Sequence, residues 1–331
     1  MILISYTNDL IPFFKDLASL SRKIQLTETQ ARHMKSDRSP VTVADYAIQV
    51  LVTRFLRERT PDIPIVAEES AQELMREEGR KILDRIIFWA RELSPGITAD
   101  EVIQALKRDT SAVGDRCWVL DPIDGTRGFL RGDQYAIVLA LIERGKVTFA
   151  MMACPNLCVG SVGPGVMAWG QIGERAKLMA LNDSQSNAKV LYVSTCADIT
   201  KARMLISFES AHMNGPAIRH FVETLGITVE PFRMDSQAKY LLVAAGEGEI
   251  YLRIPPGDNS YPVENVWDHA AGELLVTLAG GRVTDLDGRP LDYSTPPKFH
   301  QNFGVLGTNG ILHSICLEGL ERVLQKGKLS G

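Results

Sequence analysis

The 331-residue sequence has no apolar run of roughly 18 residues, no CxxC pair among its five cysteines and no surplus of basic residues. The first absence excludes a helical membrane span. The second argues against a thiolate metal knuckle. The third, a formal net charge of −4, argues against a general nucleic-acid binder. An anionic small molecule stays admissible, because local cations or bound metal outweigh the overall sign. Asp9 and Lys15 interrupt the first apolar stretch, so it does not read as a signal peptide. Cys154 and Cys158 flank a Pro-Asn turn and read as buried thiols, not as a zinc site. A reducing cytoplasm is expected, which leaves the sequon Asn182-Asp183-Ser184 without a role. Repeats, low-complexity tracts and the P-loop, HExxH and GxSxG patterns are all missing.

What is present begins with helices. Leu10, Phe13, Phe14, Leu17 and Leu20 recur at helical spacing, with Thr7 or Asn8 as the cap. A second apolar face runs from Val43 through Ala47, Leu51 and Phe55 until Pro61 and Pro64 break it. Residues 63–67 read as a strand ending at Glu68-Glu69, and residues 70–110 as a charged, helical surface insertion. Residues 117–120 read as a short buried strand that Pro122 stops. Residues 135–142 and 147–153 form an antiparallel hairpin. From about Asn156, strands at 190–193, 228–233 and 250–254 alternate with helices at 216–225, 237–245 and 268–278, the last ending at Gly280-Gly281. Asp287-Gly288 marks a hairpin turn, and 311–324 a final helix. The pattern is α+β followed by α/β, divided near residues 155–160 without a flexible linker. This gives an N-terminal part, 1–157, with most of the acids, and a C-terminal part, 158–331.

The chemistry concentrates in Asp121-Pro122-Ile123-Asp124-Gly125-Thr126. Two acids at a strand end, beside the free amides of a helix start, suit divalent cations and a phosphate. An Asx-turn with an N-cap explains the same residues more plainly. Three further acids occupy comparable places. Glu68 follows a strand, Asp268 stands at a helix start it could simply cap, and Asp45 lies in the first turn of a helix. Together these oxygen donors, without a Cys/His cluster, point to Mg²⁺. Crowded carboxylates repel, so cations must neutralise them or some must stay protonated. The implied reaction is hydrolytic phosphoryl transfer by in-line attack of a water whose pKa the cations lower.

These residues resemble the lithium-sensitive, magnesium-dependent phosphatase superfamily that includes inositol monophosphatase and fructose-1,6-bisphosphatase. The matching pieces are Ala67-Glu68-Glu69-Ser70, residues 121–126, and Trp267-Asp268-His269-Ala270-Ala271-Gly272 with Gly280-Gly281. Within the superfamily the chain is most similar to the 3'(2'),5'-bisphosphate nucleotidases. Residues 39–45, 118–135, 153–157, 209–212 and 235–253 carry that narrower match, and the resemblance spans roughly residues 35 to 325.

The resemblance implies a layered α-β-α-β-α sandwich of two subdomains with the site between them. It implies two or three Mg²⁺ ions held by Glu68, Asp121, Asp124, Asp268 and the carbonyl of Ile123. Asp45 and Thr126 would orient and deprotonate the attacking water, and the amides of Gly125 and Thr126 would face the phosphate. His212, Ser236, Lys239, Arg253 and Asp268 would hold a nucleotide. Lys239 and Arg253 suit a second phosphate, although taken singly each also reads as a solvated cation. The implied substrate is adenosine 3',5'-bisphosphate, with 3'-phosphoadenylyl sulfate as its sulfated analogue, and lithium inhibition and a place in sulfur metabolism follow. Rival readings are an inositol phosphate or fructose bisphosphate phosphatase, and a non-catalytic nucleotide sensor. A monomer with a small-molecule partner, and neither nucleic acid nor membrane, is expected.

Overall fold

The computed structural model describes residues 6–32, 40–72, 74–75, 79–107, 114–183, 187–208, 213–256 and 263–328. Its first layer is helical. The apolar stripe of α1 (Tyr6–Arg32) buries Leu10, Phe14, Leu17, Leu20 and Ile24. Tyr6 packs edge-on against Trp118, with centroids 5.2 Å apart, and the helix already includes Tyr6, ahead of the expected cap at Thr7 or Asn8. Alongside runs α2 (Pro40–Arg59), where Phe55 stacks on Phe13 at 4.1 Å. The segment expected to be a surface insertion holds α3 (Gly79–Ala90) and α4 (Ala99–Ala105), and both contribute to the core. Ile86, Trp89 and Val102 are buried with the face of α2, because α3 carries a strong apolar stripe among its charges.

The second layer is a seven-stranded sheet in sequence order. It comprises β1 (Ile65–Ala67), β2 (Arg116–Asp124), β3 (Ala136–Glu143), β4 (Lys146–Cys154), β5 (Val166–Gln171), β6 (Lys177–Ala180) and β7 (Lys189–Val190). Only β1 and β2 pair in parallel, and the rest form an antiparallel meander. Alternation along β2 sends Trp118 and Leu120 toward α1 and α2, and Cys117 and Val119 to the opposite face. Pro122 does not stop β2. The pairing with β3 steps irregularly from Asp121–Val138 to Asp124–Ala136, so its missing amide falls where no ladder bond is required. The first sheet continues past residue 157 as far as Val190, and the change to a second sheet comes only after β7.

The third layer is α7 (Ala238–Ala244) and α8 (Ala270–Leu278), packed between the sheets in one core with Val119, Met152, Tyr251 and Val283. The fourth is a five-stranded sheet ordered β11-β12-β10-β8-β9. Its strands are β8 (Met204–Ser207), β9 (Phe232–Met234), β10 (Ile250–Arg253), β11 (Arg282–Thr284) and β12 (Val305–Thr308). The Asp287-Gly288 turn closes Asp285 on Arg289, but the partner of β11 is β12. Outside this sheet lie α6 (Gly215–Leu225) and α9 (His313–Lys328) over Met204, Ile206, Ile250, Leu252 and Leu306. The expected α-β-α-β-α layering is therefore observed. No helix among the described residues is long and apolar enough to cross a membrane.

Candidate active site

Parallel pairing of β1 with β2 places Ala67 beside Leu120, so Glu68, just past β1, follows in step with Asp121 within β2. At the end of β2, Gly125 turns the backbone with φ +87° and Thr126 opens the short helix α5 (Thr126–Arg131). The Thr126 hydroxyl donates to the carbonyl of Ile123 at 3.2 Å. On the neighbouring helix, α1 grips this segment: Ser21 bonds the Tyr135 hydroxyl at 2.8 Å, and Gln25 donates to the carbonyl of Phe129 at 2.8 Å.

From the opposite side comes the segment before α7. Ser236 has φ 71°, and its β-carbon would lie 2.8 Å from a β-carbon added at Gly125. The next amide, Gln237 N–H, donates to Asp124 Oδ2. Asp268 arrives on a 3₁₀ turn, Val266–Asp268. Its carboxylate accepts from the backbone and side-chain amides of Asn265 at 3.3 and 3.4 Å. It caps that turn, and α8 begins two residues later, so the cap expected for the long helix belongs to a different element. Gly272 is required in α8 because a β-carbon there would meet the Tyr240 ring at 2.3 Å.

The result is a cleft of about 350 Å³ lined by Glu68, Asp121, Ile123, Asp124, Gly125, Thr126, Ser236, Lys239, Arg253 and Asp268. Asp45 lies behind it, with one carboxylate oxygen within 4.8 Å of those of Glu68 and Glu69. Because α2 starts at Pro40, Asp45 stands in its second turn and is 2 % exposed, not in the first turn at a helix end. His212 lies outside the described residues. Lys239, 4 % exposed, gives its ammonium to the carbonyls of Met234 and Ser236 at 3.0 and 2.7 Å. Arg253 bonds the carboxylate of Glu264.

Charge accounts for the ionisation. Burial pushes the Glu68 carboxyl up to about 8, with Asp268 and Glu69 adding repulsion. Burial, then Asp268, raises Asp124 to about 6, against the pull of the Gln237 amide. Asp45 and Asp121 are raised well above the usual carboxylate range, first by burial and then by neighbouring acids. Burial lowers Lys239 to about 8, while Asp124 works to keep it charged. Burial opposes the charge on Glu264, yet Arg253 and His269 outweigh it and hold that carboxyl at about 2.

Two of the buried acids have an oxygen with no hydrogen-bond partner, Asp45 Oδ2 and Asp121 Oδ1. Orphaned buried carboxylate oxygens, all-oxygen donors and suppressed ionisation are what a hard divalent cation would relieve, so the donor set fits such an ion.

Three further residues belong to the site, Glu69, Gln49 and Gln237. Glu69 was legible as a second acid after β1, but strand alternation would aim it away from Glu68. The strand ends at Ala67, so that alternation no longer applies. Gln49 clamps Glu69 by accepting from its amide and donating to its carbonyl, each at 2.9 Å. Buried glutamines leave no signal in composition or spacing.

A family model described as the inositol monophosphatase family matches residues 13–324. The chain belongs to the inositol monophosphatase family. Curated relatives include a 3'(2'),5'-bisphosphate nucleotidase of Oryza sativa, 38 % identical over 314 residues, covering 88 % of this chain and 86 % of that protein. The 3',5'-bisphosphate nucleotidase 2 of Arabidopsis thaliana is 36 % identical and covers 94 % of each chain. Among solved structures, Mycobacterium tuberculosis SuhB covers 96 % of this chain and 98 % of its own, with a TM-score of 0.60 at 19 % identity. The inositol monophosphatase of Anabaena (Nostoc) covers 94 % and 96 %, with a TM-score of 0.58 at 21 % identity. These two likenesses establish the inositol monophosphatase fold. Membership in the inositol monophosphatase family and the named relatives make the chain a phosphatase, and the family implies metal dependence.

Proposed function

We propose that this phosphatase hydrolyses the 3'-phosphate of adenosine 3',5'-bisphosphate, giving AMP and phosphate, with magnesium as its metal. The observation that carries the reading is the division of charge in one cleft. Acids come mainly from the first sheet, and Lys239 and Arg253 come from the second half. A cationic side facing the acids suits a substrate with a second phosphate, which an inositol monophosphate lacks. The relatives named bisphosphate nucleotidases support the same substrate class.

In this reading Glu68, Asp121, Asp124, Asp268 and the Ile123 carbonyl hold two or three Mg²⁺ ions. When bound, these neutralise the acids and act as Lewis acids on the phosphate oxygens and the water. Asp45 takes a proton from the attacking water, and the Thr126 hydroxyl helps orient it. The water oxygen forms a bond to phosphorus, the P–O3' bond breaks, and the ribose oxygen leaves with its electron pair and takes a proton from solvent. The amides of Gly125 and Thr126 face the scissile phosphate. Ser236, Lys239, Arg253 and Asp268, with His212, bind the nucleotide. The 3'-phosphate of 3'-phosphoadenylyl sulfate falls under the same reading, as does inhibition by lithium. Five unpaired cysteines support a reducing cytoplasm as its location.

The test is a phosphate-release panel of adenosine 3',5'-bisphosphate, its sulfated analogue, 3'-AMP, inositol phosphates and fructose 1,6-bisphosphate. The first two should be preferred, and Asp121→Asn should abolish turnover. Arg253→Gln, made together with Glu264→Gln so that no buried charge is stranded, should raise KM for the bisphosphate nucleotide about tenfold and leave KM for 3'-AMP nearly unchanged. Equal effects on both substrates, or a preference for inositol phosphates, would sink the reading.

A further inference from the structure

Gln237 carries no charge and no nucleophile and is 3 % exposed, yet it touches both contributors to the acid set. Its backbone N–H donates to Asp124 Oδ2, at the end of β2. Its side-chain Nε2 donates to the carbonyl of Trp267 at 2.8 Å, one residue before Asp268. Its Oε1 accepts from the amide of Gly272 at 3.2 Å. Gly272 lies in the first turn of α8, where backbone amides have no partner within the helix. His269, the residue at the helix start, makes no side-chain cap. Gln237 therefore caps α8 from another segment while gripping the turn that presents Asp268.

The segment that carries Gln237 is itself fixed. Ser236 keeps a left-handed backbone, uncommon outside glycine, and such a conformation persists only where the surroundings over-determine it. Here Lys239 binds the carbonyls on either side of Asp235, and Gly125 leaves just enough room for Ser236. An amide supplies a donor and an acceptor at once, and both ends are used. An apolar side chain of equal length would fill the space and satisfy neither group.

We propose that Gln237 is a positioning residue that sets the separation of Asp124, from the first sheet, and Asp268, from the second half, and with it the divalent-cation site they share. This rests on the metal-site reading given above. Gln237 touches no substrate atom in this account. It acts through the two carboxylates, as partners behind a ligand shell do in metal sites generally.

The test uses Mn²⁺ as the probe, titrated by calorimetry into the full-length protein without substrate, together with thermal melting in EDTA. Gln237→Met removes both amide bonds at similar size, and Gln237→Asn keeps the amide but is one methylene too short to reach both partners. Each should weaken Mn²⁺ binding by about 10–100-fold and raise the Mg²⁺ concentration for half-maximal activity by a similar factor, with kcat at saturating Mg²⁺ largely recovered. If Gln237→Met does not fold, Gln237→Asn decides. Variants that melt earlier in EDTA yet bind Mn²⁺ as the wild type does would reduce Gln237 to a structural residue and overturn the proposal. A wild type that binds no Mn²⁺ would instead sink the metal-site reading itself.

Discussion

At Gly125 the backbone takes φ +87°, and an added β-carbon would come within 2.8 Å of the Ser236 side chain and 3.2 Å of its amide. Gly125→Ala must therefore strain the turn and push the two halves apart at once, for a loss of about 1–3 kcal/mol. Urea unfolding should show that loss, and phosphate release should fall well beyond it, since Thr126 is the next residue. A Gly125→Ala protein with native stability and turnover would contradict this geometry. At this scale the acids were legible as a set: each singly reads as a turn or a cap, but four oxygen donors after apolar runs, without a Cys/His cluster, point to a cation. Glu69 was hidden by the point at which alternation ends, and Gln49 and Gln237 by the ordinariness of an amide. Their meaning lies in what they touch, which local spacing does not encode.

Among elements, helices α1 and α2 were legible from their apolar stripes, and the β3–β4 hairpin from its short turn. Two strands, β5 and β6, carry no such signal. Val166 to Gly170 are buried along their whole length because helices cover one face of the sheet as well as the other, so no alternation shows. The start of α9 gives an element-scale prediction. His313 lies between the Thr284 hydroxyl at 3.1 Å and the Thr308 hydroxyl at 3.0 Å, tying the helix to β11 and β12. Burial, with Arg282 nearby, lowers its pKa from 6.5 to about 4. A folded-state pKa below the unfolded value means the unfolded chain binds the proton more readily. The contribution is complete above pH 6.5 and is lost as pH falls toward 4. His313→Gln should flatten the stability–pH curve between those values, as measured by thermal melting. A curve of unchanged slope would refute the assignment.

For the whole molecule, composition says little about the site: a net charge of −4 conceals a cleft in which acids drawn mainly from the first half meet Lys239 and Arg253 of the second. The layering was accessible from the family resemblance, whereas the point where the chain changes sheets was not, because the strand expected at 190–193 reads as part of the second half but ends the first sheet as the two-residue β7. Metal linkage follows from the acids as a group. Glu68 at about 8 and Asp124 at about 6 hold protons in the cation-free fold more tightly than they would in the unfolded chain. Unfolding then releases protons, so the cation-free protein should lose stability as pH rises from about 4.5 to about 8. A divalent cation must displace those same protons, so its affinity should rise over that interval. Melting in EDTA and in Mg²⁺ at several pH values checks both signs. A Mg²⁺-induced gain that shrinks with rising pH would show that the acids do not share the ion.

The first sheet is complete at Val190, yet Gln237 and Asp268 come from later in the chain. On the ribosome, a nascent chain can close that sheet and gather Glu68, Asp121 and Asp124 before their remaining partners have been synthesised. Those acids then have neither the last carboxylate nor the amide that spaces it, and they repel one another in an open cleft. Catalytic competence requires the later segments, through Asp268, to dock against that sheet.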